Sequence, residues 1–408
     1  MGTVLFAWEL GGGLGHVGPM RVLAEQLTRF GHRVVFAVRD VSSSRMVLGQ
    51  SWPVLQAPMG ANTRGLGIKG AGTYADIMAV RGFGSAEELE HLVRSWSDLI
   101  ELVKPNLVVA DHSPTALLAC FGVVRVITVG FGFYLPPSQH PSFPAFRDGV
   151  PPIVPEPVIL ENIRTVQSRL GRPAPETVPQ LFESHYAHCY SIPELDPYAG
   201  YRAIPGFGPV EEMPAPTPLP EKPSLFAYLA ADHPQIQEIA TGLGNLGIPV
   251  QAYVRNAPPV LVRYMARSGI QVHERPPSLA KILPEVSAVL SHGGGGITHA
   301  ALFAGRSQII IPRHIEAQLT THYLERRGLG IRIVNNGDPK LIRDMIRTAV
   351  PNSEYSANAA QLADQVRAWP VSARSNFVNV CNQVLLARSR VPVSVATERS
   401  TPPSRANA

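Results

Sequence analysis

Two glycine-rich stretches, each set between a short apolar run and a helical pattern, constrain this chain more than any other feature. "ELGGGLGHVGPM" (9–20) follows the run Thr3 to Glu9, and Pro19 opens a helical spacing through Leu23, Leu27 and Phe30. "LSHGGGGITHAALFAG" (290–305) leaves a second apolar run in the same way. A strand that turns through glycines into a helix and then meets another strand is a βαβ unit, whose strands must be parallel. Arg33 to Val38 supplies the next strand of the first unit. Asn106 to Ala110, ending at Asp111, adds another behind a helical pattern that begins at a capping box of Ser85 and Glu88. The second half alternates more cleanly: Ser224 to Leu229, Pro249 to Val254, Ile270 to Glu274, Ala288 to His292, Gln308 to Pro312 and Gly330 to Val334 read as strands separated by helices. The fold class is therefore α/β, two Rossmann-like doubly wound domains.

A length of 408 residues suits two such domains. The 39 prolines are unevenly spread, 20 of them between Pro136 and Pro223, and that stretch reads as a loop-rich insert or linker with little regular structure. The expected division is an N-terminal domain over 1–204, a linker over 205–223, a C-terminal domain over 224–370, and a helix over 371–389 packing back toward the first domain. Residues 390–408, poor in large apolar side chains, are expected to form a disordered tail.

The net charge of +5 is scattered without any basic run, so it describes a solvated surface and not a nucleic-acid site. Three cysteines at unrelated spacings give neither a disulfide framework nor a zinc motif and suit a reducing cytoplasm. No apolar stretch approaches the roughly 18 residues a transmembrane segment needs, so a cytoplasmic protein is expected. His185, His188 and Cys189 share a strand-like segment and read as structural, and the absence of any D-x-D argues against a bound metal.

The chemistry is carried by the loops. Gly13-Leu14-Gly15-His16-Val17-Gly18 is a literal G-x-G-x-x-G, and with Asp40 some twenty residues on it admits a nicotinamide-cofactor reading. Ligands of open parallel sheets collect at the carboxyl ends of strands, where His16 and Asp111 both stand. There they form either a general-base dyad, with the carboxylate fixing the imidazole tautomer, or a helix cap and an unrelated amide-bound acid. In the second loop the amides of Gly293, Gly294, Gly295 and Gly296, the hydroxyl of Thr298 and a donor nitrogen of His292 suit a diphosphate at a helix N-terminus. The bland alternative is a tight turn around a core histidine, although four consecutive glycines carry a conformational cost that packing rarely explains. The stretch from Gly130 to Phe146 offers Phe131, Phe133 and Tyr134 either as an apolar wall for a ligand or as aromatics packed beneath a connector.

"GGGLGHVGPM" with "LTRFGHRVVF", then "LVVADHSPTALLACFGV", then "HGGGGITHAALFAGRSQIIIPRHIEAQ" with "LERRGLG", resembles the GT-B glycosyltransferases of family 1, the UDP-glycosyltransferase-like enzymes of bacterial natural-product type. Order and placement agree from Val4 to about Ala387. The resemblance implies two domains facing across a cleft, a metal-independent inverting transfer from a UDP- or TDP-sugar to a hydroxyl of a small, hydrophobic acceptor, and no resident cofactor. It implies His16 as general base oriented by Asp111, donor diphosphate on His292 to Gly296, and donor sugar hydroxyls on Glu316 and Gln318. Every departure falls in the donor half. Ile297 replaces a hydroxyl residue, Ala317 separates Glu316 from Gln318, and Pro276-Pro277-Ser278-Leu279 stands where a base-stacking aromatic is usual. The competing functions are a nucleotide-sugar epimerase, an NAD-dependent oxidoreductase and a non-catalytic partner; the sequence specifies no oligomeric state.

Overall fold

The computed structural model describes residues 1–13, 15–60, 70–244, 246–334, 337–351, 353–369 and 372–386. Its first sheet contains β1 (Thr3–Trp8), β2 (Arg33–Val38), β3 (Val54–Gln56), β4 (Leu107–Asp111), β5 (Val126–Gly130) and β6 (Tyr186–Cys189), in the order β3-β2-β1-β4-β5-β6. The second contains β7 (Leu225–Ala230), β8 (Val250–Arg255), β9 (Gln271–His273), β10 (Ala288–Ser291), β11 (Ser307–Ile310) and β12 (Gly330–Arg332), in the order β12-β11-β10-β7-β8-β9. All pairings are parallel. Central strands such as LVVAD and VITVG are buried throughout because helices cover both faces of a parallel sheet.

Each order reverses direction once, between β1 and β4 and between β7 and β10, and the loops that leave those strands diverge to open a crevice. Register places Trp8 beside Asp111 in the first sheet and Tyr228 beside Ser291 in the second. The His16 loop, Asp111 and both glycine stretches therefore lie at switch points.

The proline-rich stretch is more ordered than the sequence suggests. It holds the fourteen-residue helix Glu156–Arg169 as well as β6. Its prolines sit where a helix tolerates them, Pro155 as the cap and Pro157 in the first turn, and none follows until the helix has ended. Two strands absent from the sequence reading complete the first sheet. The run VITVG of β5 has a β-branched signal, whereas β3 is three residues long and is defined only by its pairing with β2.

The helix Ala373–Leu386 joins the N-terminal core, where Phe377, Val380 and Val384 pack with Val4, Phe6 and Leu23. The Asn376 amide donates to the Tyr186 hydroxyl at 2.8 Å, tying that helix to β6. The sequence expectation for 390–408 falls outside the described residues. All three cysteines are free and buried, and no helix among the described residues is long and apolar enough to cross a membrane.

Glu9, just past β1, is 3% exposed and accepts hydrogen bonds from the Trp96 indole (2.9 Å), the Thr115 hydroxyl, and the Thr115 and Ala116 amides (2.8 and 3.3 Å) at the start of the helix Pro114–Cys120. Burial outweighs these donors and pushes its carboxyl from the ordinary 4.5 up to about 7. A carboxyl raised in this way favours folding while protonated: the contribution is fully present below pH 4.5 and is lost as pH rises through about 7. That span corresponds to about 3 kcal/mol. Chemical denaturation between pH 5 and 8 should show the parent losing stability with rising pH and Glu9→Gln losing about 3 kcal/mol less. Parallel stability profiles for the two proteins would contradict this assignment.

Candidate active site

His16 is the residue from which the helix Val17–Arg29 departs, yet its side chain does not cap that helix. Its Nδ1 instead donates to Asp111 Oδ1 at 3.1 Å. Both side chains are almost fully buried. The imidazole is clamped between Trp8 (centroids 5.1 Å apart) and Tyr134 (4.6 Å), and its Nε2 has no protein partner among the described residues. Gly11, at φ 82°, permits this packing, because a Cβ there would lie 2.5 Å from Nε2. Burial pushes the Asp111 carboxyl up, and His16 opposes that shift. The pair is thus a buried carboxylate and imidazole with one ring nitrogen left for a ligand.

Asp40, the acid a nicotinamide site would require, spends its carboxylate on the Ser43 amide at 3.0 Å, capping the helix Val41–Leu48. Gly18 lies within the first helix and Gly13 is packed against the Arg255 guanidinium, which occupies the space a side chain there would need. The first glycine loop is therefore engaged by the second domain.

Between the domains lies a cavity of about 420 Å³. One wall contains Gly11, Gly12, Arg81, His112, Phe133 and Tyr134; the other contains Asp232, Arg255, Arg313, His314 and Glu316. Asp232 accepts from Arg313 at 2.6 Å and faces Arg255 at 4.0 Å. Glu316, in the first turn of the helix Ile315–Arg326, lies 3.7 Å from His314 Nδ1. Burial first, and then the Glu316 carboxylate, push the Tyr134 hydroxyl well above its ordinary value, so Tyr134 links His16 to Glu316 across the cleft.

Three sequence expectations require correction. His292 does not offer a free donor: its Nε2 accepts the Ala230 amide at 3.2 Å and its Nδ1 donates to the Ile311 carbonyl at 3.3 Å, so the ring staples β7, β10 and β11 together. Burial holds it neutral, pushing it down to about 3. The Thr298 hydroxyl is fully buried and unpartnered among the described residues, so it is not open to a phosphate. Gln318 is half-buried and, like His16 and Asp111, is not among the residues that line this cavity. Phe131 is not in that wall either. Its ring packs on His299 (5.2 Å) and covers Gly295, whose Cβ would lie 2.8 Å from it. Close domain approach thus accounts for that glycine. Phe133 and Tyr134 do line the cavity.

What remains of the second glycine loop is backbone. Gly294 caps the helix Gly295–Phe303, and Gly294 and Gly296 have nothing near the place a side chain would fill. Amides there face outward at a positive helix end. The cations Arg255 and Arg313, which sequence reading passed over, stand at the carboxyl ends of β8 and β11, and the edge rule that selected His16 and Asp111 would have found them.

Residues 268–380 match the model of the erythromycin biosynthesis protein CIII-like C-terminal domain. Over 95 residues the chain is 32% identical to the elloramycin glycosyltransferase ElmGT of Streptomyces olivaceus, covering 23% of this chain and 24% of that protein. Over 108 residues it is 27% identical to the 3-alpha-mycarosylerythronolide B desosaminyl transferase of Saccharopolyspora erythraea, covering 26% and 25%. The matches thus span about a quarter or less of the curated relatives' length. Solved structures match almost end to end. The calicheamicin glycosyltransferase CalG4 superposes with a TM-score of 0.66 at 16% identity, covering 94% of this chain and 98% of that one. The glycosyltransferase VinC in complex with DTDP gives 0.64 at 17% identity, with 94% and 99% covered. At such identities the likeness is one of architecture, and the architecture is the GT-B fold.

Proposed function

We propose that this GT-B chain is a glycosyltransferase of natural-product type, moving a sugar from a nucleoside-diphosphate donor, UDP- or TDP-linked, to a hydroxyl of a small-molecule acceptor. The observation that carries the reading is the buried His16–Asp111 pair, whose Nε2, unpartnered among the described residues, lies behind Gly11 in the wall of a cleft closed by Glu316 and two arginines of the other domain. The similarity of residues 268–380 to the erythromycin-type domain supports the donor assignment.

In this reading the acceptor hydroxyl gives its proton to Nε2 of His16 as its oxygen attacks the anomeric carbon, while Asp111 holds the Nδ1 proton and steadies the imidazolium that forms. The bond to the diphosphate oxygen breaks in the same displacement, so the anomeric configuration inverts. Charge developing on the diphosphate is met by the amides opening Gly295–Phe303 and by Arg255 and Arg313. Glu316 receives hydroxyls of the donor sugar. No divalent cation is needed for any of these steps.

Calorimetry with UDP and dTDP tests the donor half directly. Both should bind, within about tenfold of each other, because the usual base-stacking aromatic is missing while the amides persist. EDTA should change a measured transfer rate by less than about twofold. Failure of both nucleotides to bind at millimolar concentration overturns the reading, and loss of activity on chelation with recovery on adding magnesium overturns its metal-free chemistry.

A further inference from the structure

The acceptor side of the cleft contains two polar side chains that the mechanism above does not use. The helical segment Ala79–Phe83 breaks at Arg81 (φ −122°, ψ 32°) and Gly82 (φ 107°), turning Arg81 toward the cavity beside Ile77 and Phe133. The guanidinium is half-buried and makes no ion pair or hydrogen bond among the described residues. The other charged groups of the cavity are committed: Asp232 to Arg313 and Arg255, Glu316 to His314 and Tyr134. Burial, and then the charge of Arg39, pull Arg81 below its ordinary value, as expected for a cation without a counter-ion.

His112 is the second. It follows Asp111 directly, takes a left-handed backbone conformation at φ 47°, and anchors β4 to the first glycine loop by accepting the Leu10 amide on its carbonyl at 3.0 Å. Its ring lies between Tyr134 (4.5 Å) and Tyr74 (5.8 Å) and 5.9 Å from His16. Both ring nitrogens are buried and unpartnered among the described residues, as are those of His188, and of these two rings it is His112 that lines the cavity, where a ligand can supply the missing partner. Burial holds the ring neutral, leaving one nitrogen as donor.

We propose that Arg81 and His112 form an anion site on the acceptor wall, so that the molecule glycosylated here carries a carboxylate near the reacting hydroxyl. The inference rests on the transferase reading for the identity of that hydroxyl. Arg81 takes the carboxylate through its forked donors, His112 adds one hydrogen bond, and the neighbouring hydroxyl is left beside His16. The ligand is an acceptor and not the donor diphosphate because both residues belong to the N-terminal wall, opposite Arg255 and Arg313.

The test uses a hydroxyaryl acid, 3-hydroxy-2-naphthoate, and its methyl ester, titrated into the whole protein by calorimetry with and without saturating UDP. The parent should bind the acid at least about tenfold more tightly than the ester, the size of a lost charge-assisted contact. Arg81→Gln should abolish that preference while leaving UDP affinity and ester affinity within about twofold, and Arg81→Lys should restore part of it. Equal binding of acid and ester by the parent, or an unchanged preference in Arg81→Gln, overturns the proposal. A fall of about tenfold in UDP affinity in Arg81→Gln assigns the cation to the donor phosphates and also overturns it. An acid preference that depends on Arg81 in a protein that fails to bind UDP upholds the anion site while the transferase reading falls.

Discussion

Replacing His16 with Ala is expected to reduce sugar transfer by about 10²- to 10⁴-fold while UDP and dTDP bind as they do to the parent. The range is that of a lost general base. The preserved affinity follows from position, because the donor amides and Arg313 belong to the opposite domain. Truncation also leaves Asp111 buried without the imidazole that partners it, and the carboxyl is expected to take up a proton in the variant to avoid carrying a buried charge. Stability and nucleotide affinity are therefore measured beside the rate. A lower rate with intact nucleotide binding and a cooperative melt identifies a base. A variant that still transfers at the parental rate to an aliphatic hydroxyl, which requires deprotonation, removes His16 from the mechanism.

The residues that were legible in the sequence are those whose placement follows from topology. His16 and Asp111 are 95 positions apart, and only the rule that parallel strands carry ligands at their carboxyl ends brings them together; the register of Trp8 with Asp111 is the physical form of that rule. The same reasoning succeeded for the alternation of all six strands in the second half, whereas in the first it missed β3 and β5. Side-chain direction was not legible. A histidine beside glycines at a helix N-terminus looks like a phosphate donor, but whether its nitrogens are free depends on what the neighbouring strand ends present, and Ala230 and Ile311 claim both in His292. Thr298 failed for a related reason, since the sequence places a residue on a helix but does not say whether its hydroxyl stays exposed. Gly295 is conspicuous in the sequence as part of a phosphate cradle, whereas the fold shows a Phe131 ring from the other domain resting on it. Contacts between domains leave no periodicity in either partner's sequence.

The second large effect is expected in Asp111→Asn, which tests how the dyad works and not merely whether it is present. In the parent the carboxylate can only accept, so it holds the proton on Nδ1 and leaves Nε2 open to the acceptor hydroxyl. An asparagine of the same shape can donate its NH2 to Nδ1 instead, which stabilises the tautomer with the proton on Nε2, where it blocks abstraction. Transfer should fall by about 10²- to 10⁴-fold, comparable to loss of the base itself, and the double variant with His16→Ala should be little worse than either single one, since residues acting as a unit are not additive. Stability separates this role from a structural one. Burial raises the Asp111 carboxyl, so the parent keeps a costly charge in the interior, and an isosteric amide that removes the charge should melt no lower than the parent. A protein that melts well below the parent and loses nucleotide affinity along with rate would make Asp111 a structural acid. Unchanged melting and nucleotide affinity with a rate lowered by less than about twofold would show that the Nδ1 proton needs no carboxylate to hold it.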